Sequence, residues 1–395
     1  MEAWINEIKQ RAMSGKPPVS GGRTYKLDKL NFENLVFMPA QLSARPVDYF
    51  RENISTETVL GKMSKHPLTL KTPIMIGAMS FGALSKPAKI ALAKASTIVG
   101  TVANTGEGGM LPEERKEAKL LIVQYSTGRF GINEAVLKAA DAIEVKIGQG
   151  AKPGQGGLLP KEKVTAEVAK IRGVPMGQDI HSPPYHVDIT TIEELKRRVD
   201  QLRNTTGGKP IIIKLGAGNV EEDVKLALRA GPDIIAIDGM GGGTGAAPRI
   251  MLDDFGTPTL AALVRARKVM DEIGAKQELI IGGGLNSGAD VAKALALGAD
   301  AVFMAFPMLV AMGCGYCKLC YMGKCPFGIT TQDSELQKKL DPNAAEHVAN
   351  FIRACTEEVK MAAGACGKND VHKLNSNDVR SLSWELSQIT GIATV

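Results

Sequence analysis

Long apolar runs are missing from this chain of 395 residues: no stretch of about eighteen apolar residues occurs, so no helical membrane span is expected. Residues Met1 to Gly15 mix Glu2, Glu7, Lys9 and Arg11 with Trp4 and Ile8 and lack the apolar core of a secretory signal. A cytoplasmic location is the expectation. A Lys/Arg block is also missing: 48 basic residues face 42 acidic ones, and a surplus of six charges spread along the chain argues against a nucleic-acid partner. What it leaves open is a locally basic anion site. No internal repeat or low-complexity tract is present, so a solenoid is not expected. Cysteine is scarce, six in all, but four of the six fall within twelve residues. In a reducing cytosol that crowding points to a metal site rather than to disulfides.

What is present is core-forming material. Apolar residues make up 44% of the chain and charged residues 23%, enough for a large core with a soluble surface. Residues 1–70 are polar and irregular, with Pro17, Pro18, Gly21 and Gly22, and are expected to wrap the domain as an N-terminal extension. From Lys71 onward short apolar runs alternate with helical patterns, which predicts βα units on a parallel sheet. Eight strands are predicted: Ile74–Ala78, Gly100–Asn104, Ala142–Ile147, Met176–Ile180, Pro210–Leu215, Ile234–Asp238, Glu278–Ile281 and Ala301–Ala305. Eight is the strand number of an α/β (β/α)8 TIM barrel, placed here at 71–310. A cysteine loop follows at 311–332 and a helical segment packed on the barrel at 333–395. In the last of these, Val348, Ile352, Cys355 and Val359 lie on one helical stripe, so Cys355 is expected in the core; Cys366, without a partner at ligand spacing, is expected to be structural.

Functional groups in such a barrel belong to the loops after the strands. After the seventh comes Gly282-Gly-Gly-Leu-Asn-Ser-Gly288, whose backbone can approach a phosphate and which enters a helix capped by Asn286 or Ser287 and ended by Gly298. After the sixth comes Asp238-Gly-Met-Gly-Gly-Gly-Thr-Gly245. Two such loops on one rim suit a flat cofactor with a phosphate tail; taken alone, each is also an ordinary flexible turn. Lys214 interrupts the apolar run Ile211–Leu215 and must meet something polar. It can face the negative charge of a reduced flavin near N1, or pair with Asp238. Lys146 and Lys152 at one strand end, with Arg172 further on, can form a cationic pocket for a dicarboxylate, although loop lysines usually face solvent. Cys314, Cys317, Cys320 and Cys325, with Pro326 after the last, can converge on an iron–sulfur cluster; four thiolates also satisfy zinc.

Several segments, in order, carry a family resemblance: Gly77-Ala-Met-Ser-Phe-Gly82, Asn104-Thr-Gly-Glu-Gly-Gly109, Ser126-Thr-Gly-Arg-Phe-Gly131, Gln149-Gly-Ala-Lys-Pro-Gly154, Ser182-Pro-Pro184, Gly242-Gly-Thr-Gly245 and Cys325-Pro-Phe-Gly-Ile-Thr-Thr-Gln332. From about residue 30 to the C-terminus the chain resembles the FMN-binding synthase domain of glutamate synthase, including its stand-alone archaeal-type and N-methylglutamate-synthase-like relatives. The resemblance implies a barrel with FMN on its rim and a cluster beside it. Electrons would pass from the cluster to FMN and leave as hydride to 2-iminoglutarate, made from 2-oxoglutarate and ammonia, giving L-glutamate. It implies substrate or active-site roles for Glu107, Lys146, Lys152 and Arg172, and flavin contacts for Met79, Ser80, Gln124, Lys214, Gly243, Gly283 and Gly284.

Two departures from the family pattern stand out. Leu158 occupies a position that is commonly polar, which opens a second expectation: a related enzyme acting on an N-substituted glutamate or another imino acid. Three cysteines, Cys314, Cys320 and Cys325, match the family and imply a 3Fe-4S cluster; Cys317 is additional and would allow 4Fe-4S. A third expectation, of a different class, is an electron-relay subunit without substrate chemistry, against which the retained Glu107, Lys146, Lys152 and Arg172 stand. With the chain beginning directly before the barrel, ammonia is expected from solution or from a separate glutaminase subunit. Without a second glycine fingerprint for a nicotinamide nucleotide, reductant is expected from a ferredoxin or an NAD(P)H-oxidising subunit.

Overall fold

The computed structural model describes residues 2–24, 26, 27 and 30–395; Met1, Tyr25, Asp28 and Lys29 of the N-terminal extension lie outside the described residues. Eight parallel strands form the barrel: β1 Ile74–Ile76, β2 Ala103–Asn104, β3 Leu121–Tyr125, β4 Ala142–Lys146, β5 Ile211–Gly216, β6 Ile234–Asp238, β7 Glu278–Gly282 and β8 Ala301–Met304. They pair in the order β1-β8-β7-β6-β5-β4-β3-β2. The ring closes where the Ile76 N–H donates to Val102 O at 3.2 Å and the Thr101 hydroxyl to Ile74 O at 2.6 Å.

One predicted strand is wrong. The segment Met176–Ile180 lies outside the barrel, and only Ile180–His181 is extended, pairing antiparallel with Leu158–Leu159 in a hairpin. The third barrel strand is instead Leu121–Tyr125, so Ala142–Lys146 is fourth rather than third. Leu121–Tyr125 is buried at all five positions, including polar Gln124, whereas Met176 is exposed.

The helices after the strands are α1 Lys86–Val99, α2 Pro112–Glu117, α3 Glu134–Ala139, α4 Ile192–Thr205, α5 Val220–Arg229, α6 Thr259–Ile273, α7 Gly288–Ala296 and α8 Ala344–Ala365. Ser287 caps α7 by accepting the Asp290 N–H at 3.2 Å. Helix α8 packs against both α7 and α1, the place of the eighth barrel helix, and buries Val348, Ile352, Cys355 and Val359 as its apolar stripe requires. Cys366 is buried as well. Among the described residues no helix is long and apolar enough to cross a membrane.

At the N-terminal end a two-stranded hairpin, Thr58–Leu60 with Leu68–Leu70, plugs the barrel. Its Leu60, Leu68 and Leu70 join Met75, Ile122, Ile212 and Ile280 in one buried cluster, so the barrel has a solid apolar floor. Function is thereby confined to the opposite rim. Two rim loops are held from outside by Lys89 of α1. Its ammonium, 1% exposed, pairs with Glu114 at 2.7 Å and donates to the carbonyls of Met79, Asn104 and Thr105 at 2.6, 3.0 and 3.2 Å. Lys89→Met leaves the Glu114 carboxylate buried without its partner, which is expected to cost about 3–5 kcal/mol. A urea unfolding curve checks this, and an unshifted midpoint would contradict it.

Candidate active site

Above the apolar floor the barrel interior turns polar. Gln124 on β3 donates to Glu144 of β4 at 2.6 Å, fully buried, and Lys214 on β5 stands 3.7 Å from Asp238 on β6. Burial opposes the charge on Lys214, but Glu144 and Asp238 outweigh it and hold the ammonium above its ordinary pKa. Of the two sequence alternatives the pairing with Asp238 is present, and the same lysine lines the cavity above.

That cavity occupies the C-terminal rim. Its empty volume, open mouth included, is ≈ 1840 Å³. The register places Lys146 beside Lys214 on neighbouring strands, so both lysines project on the same side of the sheet. Lys146 donates to Glu107 at 2.9 Å and to Gln149 at 2.8 Å. Glu107 sits on the turn Gly106–Gly108 after β2 and also accepts from Ser182 at 3.3 Å. Burial would raise the Glu107 pKa, but Lys146, Lys152 and Arg172 reverse the shift and bring it to about 2.

Among the described residues, two of those cations have no carboxylate of their own. Lys152 donates to Ala246 O at 3.2 Å, and burial lowers it to about 8 although Glu107 pulls the other way. Arg172, at the end of the short helix Ala166–Arg172, donates to Phe81 O at 2.6 Å and to the Ser80 hydroxyl at 3.3 Å; burial lowers it to about 10. One carboxylate thus faces three cations. The surplus is positive and points into the cavity, where an anionic ligand would complete it.

Beside this pocket lie the glycine loops. Gly241, Gly283 and Gly284 have φ of 124°, 113° and 81°, and a Cβ on Gly283 would fall 2.6 Å from Gly239 O. Bare backbone is therefore required where the two loops touch. Gly243 lines the cavity, as do Met79 and Ser80 in the loop after β1 and Gln124 on β3. The expected help from the α7 N-terminus is reduced, because the Asn286 and Gly288 N–H groups are already taken by Asp290 at 2.8 Å and Glu358 at 2.7 Å. A phosphate bound here would meet the loop amides and Arg23, which also lines the cavity and donates to Asn286 at 3.1 Å.

The cysteine loop forms the remaining wall. Cys314, Cys317, Cys320 and Cys325 all line the cavity; Cys325 is buried and Cys317 exposed. Burial works against a Cys325 thiolate, but the Thr330, Phe327 and Ile329 N–H groups and the Thr330 hydroxyl outweigh it and lower the pKa. Burial raises the Cys314 and Cys320 thiols. The Thr330 hydroxyl, buried without a conventional hydrogen-bond partner, faces Cys320 and Cys325. Among the described residues no three His, Cys, Asp or Glu side chains are gathered tightly enough to hold a single metal ion. The cysteines do share one wall, and the donors around Cys325 suit a thiolate ligand.

A model of the conserved region in glutamate synthase matches residues 23–369. The chain belongs to the glutamate synthase family. A glutamate synthase large subunit-like protein of Rhizobium meliloti is 42% identical, over 98% of this chain and 92% of that protein. An archaeal glutamate synthase [NADPH] of Archaeoglobus fulgidus is 39% identical, over 98% and 82%. The glutamate synthase [NADPH] large chain of Bacillus subtilis is 36% identical over 79% of this chain, which corresponds to 22% of that longer protein. Among solved structures, a chimeric (S)-mandelate dehydrogenase superposes with a TM-score of 0.61 at 16% identity, covering 91% of this chain and 93% of that one. A mandelate oxidase variant with a monooxide FMN adduct gives 0.58 at 18%, covering 92% and 94%. At such identities the likeness is one of fold.

Within this family member the candidate catalytic, cofactor and cysteine residues read from the sequence all line this cavity. Sequence reasoning missed Ser182 as a partner of Glu107, Gln149 as a partner of Lys146, Arg23 beside the phosphate loop, and the buried Lys163. The first two fall inside recognised segments and could have been found there; the other two carry no local signal. Because only protonated Lys152 attracts an anion, affinity for a dicarboxylate should fall as pH rises through about 8. Lys152→Gln should weaken binding and remove that pH dependence. Calorimetry from about pH 6.5 to about 9.5 checks both, and a pH-independent affinity in the parent chain would contradict the assignment.

Proposed function

We propose that the chain is the synthase component of a glutamate synthase, an oxidoreductase that makes L-glutamate from 2-oxoglutarate and ammonia. The observation that carries this reading is the Glu107 carboxylate held among Lys146, Lys152 and Arg172 on the rim that also bears the glycine loops and the cysteines. When bound, FMN supplies hydride to the imine carbon of 2-iminoglutarate, and an iron–sulfur cluster supplies the electrons. Lys152 and Arg172 hold the two carboxylates of the substrate, and Lys146 keeps Glu107 ionised and oriented. Glu107, kept ionised, accepts a hydrogen bond from the substrate nitrogen and favours its protonated iminium form, so that hydride added to the carbon gives the neutral amine.

Met79, Ser80, Gln124, Gly243, Gly283 and Gly284 would hold the flavin, with the Lys214 ammonium favouring negative charge on the ring. Cys314, Cys320 and Cys325 would hold the cluster, 3Fe-4S with these three or 4Fe-4S if the exposed Cys317 joins them. Ammonia comes from solution or a glutaminase subunit, and reductant from a ferredoxin or an NAD(P)H-oxidising subunit in the cytoplasm. A pure electron relay would have no use for the cationic pocket.

One observation favours a second reading. Leu158 lines the cavity next to Gly157, whose absent Cβ would fall 2.0 Å from the Glu107 carboxylate. An apolar side chain on the wall of this cavity suits an N-substituted glutamate or another imino acid.

Reduced protein mixed anaerobically with 2-oxoglutarate and ammonium should reoxidise its flavin and release glutamate, and failure to do so would contradict the primary reading. Repeating the experiment with methylamine separates the two readings by relative rate. Glu107→Gln should slow turnover by about 10²–10⁴-fold with flavin content unchanged.

A further inference from the structure

Lys163 takes no part in the chemistry described so far, yet it is only 3% exposed and lines the same cavity. It ends the turn Lys161–Lys163, directly after the hairpin strand Leu158–Leu159. Its ammonium donates to Ala83 O at 2.7 Å and to Cys320 O at 3.3 Å, which ties the cysteine loop to the rim loop after β1. Its stem runs along Gly323, where a Cβ would come 3.1 Å from Lys163 Cγ.

Among the described residues no carboxylate is paired with this ammonium; both of its hydrogen-bond partners are neutral carbonyls. A buried cation needs an anion nearby. From the cysteine loop the side chains of Cys320 and Cys325 face this ammonium, while Arg172 repels it. The anion that Lys163 lacks is therefore on the cysteine loop, where the thiolates of a cluster site would supply it.

We infer that Lys163 is a positioning and charge-compensating residue for an iron–sulfur cluster on Cys314, Cys320 and Cys325, and that its charge raises the potential at which the cluster accepts an electron. This rests on the assignment of that loop to a cluster. A fixed positive charge beside an anionic centre favours the state carrying one more electron, and nearby charge and hydrogen bonds are the levers by which proteins set cluster potentials.

The test is a potentiometric titration, followed by EPR, of the full chain prepared anaerobically, comparing the parent with Lys163→Gln, Lys163→Met and Lys163→Arg. Glutamine retains a donor for the two carbonyls without charge, and arginine retains charge. In both neutral variants the oxidised-to-reduced ratio at a fixed potential should rise about tenfold, about 59 mV for a one-electron couple, while Lys163→Arg stays near the parent. Iron and labile sulfide, measured on the same samples, should hold in Lys163→Gln. An unmoved potential in Lys163→Gln with its cluster intact overturns the inference, and so does an equal shift in Lys163→Arg. Cluster loss in both neutral variants with retention in Lys163→Arg supports charge compensation; loss in all three counts against it. A parent chain without iron or labile sulfide overturns the cluster assignment itself, and that result is distinguishable from failure of the charge effect.

Discussion

Three buried cations around a single carboxylate set the conditions for the rest of the site. Glu107 cannot neutralise Lys146, Lys152 and Arg172 together, so a positive surplus is held in a place from which much of the water has been removed. The protein tolerates it by aiming carbonyl oxygens at the extra charge, Ala246 at Lys152 and Phe81 at Arg172. These partners keep the cations in place without cancelling them, and the uncancelled charge is what a dianionic substrate would meet. Four chain segments contribute, namely the turn after β2, the end of β4, the loop following it and the helix Ala166–Arg172. The charge balance is therefore a product of the closed barrel and not of any local motif.

The layering of the barrel explains why this charge collects at one end. Leucines of the N-terminal hairpin and the inward residues of the strands fill the lower half with hydrocarbon. Gln124, Glu144 and Lys214 form a polar step above them, and the cavity opens over that step. Glycine loops on one side leave backbone exposed for a flat ligand, and the cysteine loop closes another. The N-terminal extension takes part too: Val19–Gly22 pairs with Thr244–Pro248, and Gly21 lies against Cys320, so the extension backs the cysteine loop.

Most of this architecture was legible before any coordinates. Strands buried on both faces leave apolar runs, and seven of the eight barrel strands could be read from them. The exception is Leu121–Tyr125, whose apolar run starts soon after the short helix α2 with no Gly or Pro to mark its beginning, while the long excursion between β4 and α4 supplied a false substitute at Met176–Ile180. The residues lining the site were legible because they stand in strand-end loops and in segments shared with the family. Lys163 was not, since a lysine in Lys161-Glu-Lys163 looks like any solvated surface charge until the tertiary fold buries it. Arg23 likewise becomes a site residue only when the extension folds over the rim. The reduced role of the α7 N-terminus was also invisible, because it depends on Glu358 arriving from another helix.

The account stands on the claim that one cavity serves flavin, cluster and dicarboxylate together. Its most direct test is the cofactor content of the folded chain after anaerobic purification, read from the absorption spectrum and from iron analysis. The account predicts about one FMN per chain with about three or four iron atoms. A folded chain that binds neither flavin nor iron when both are supplied would contradict it.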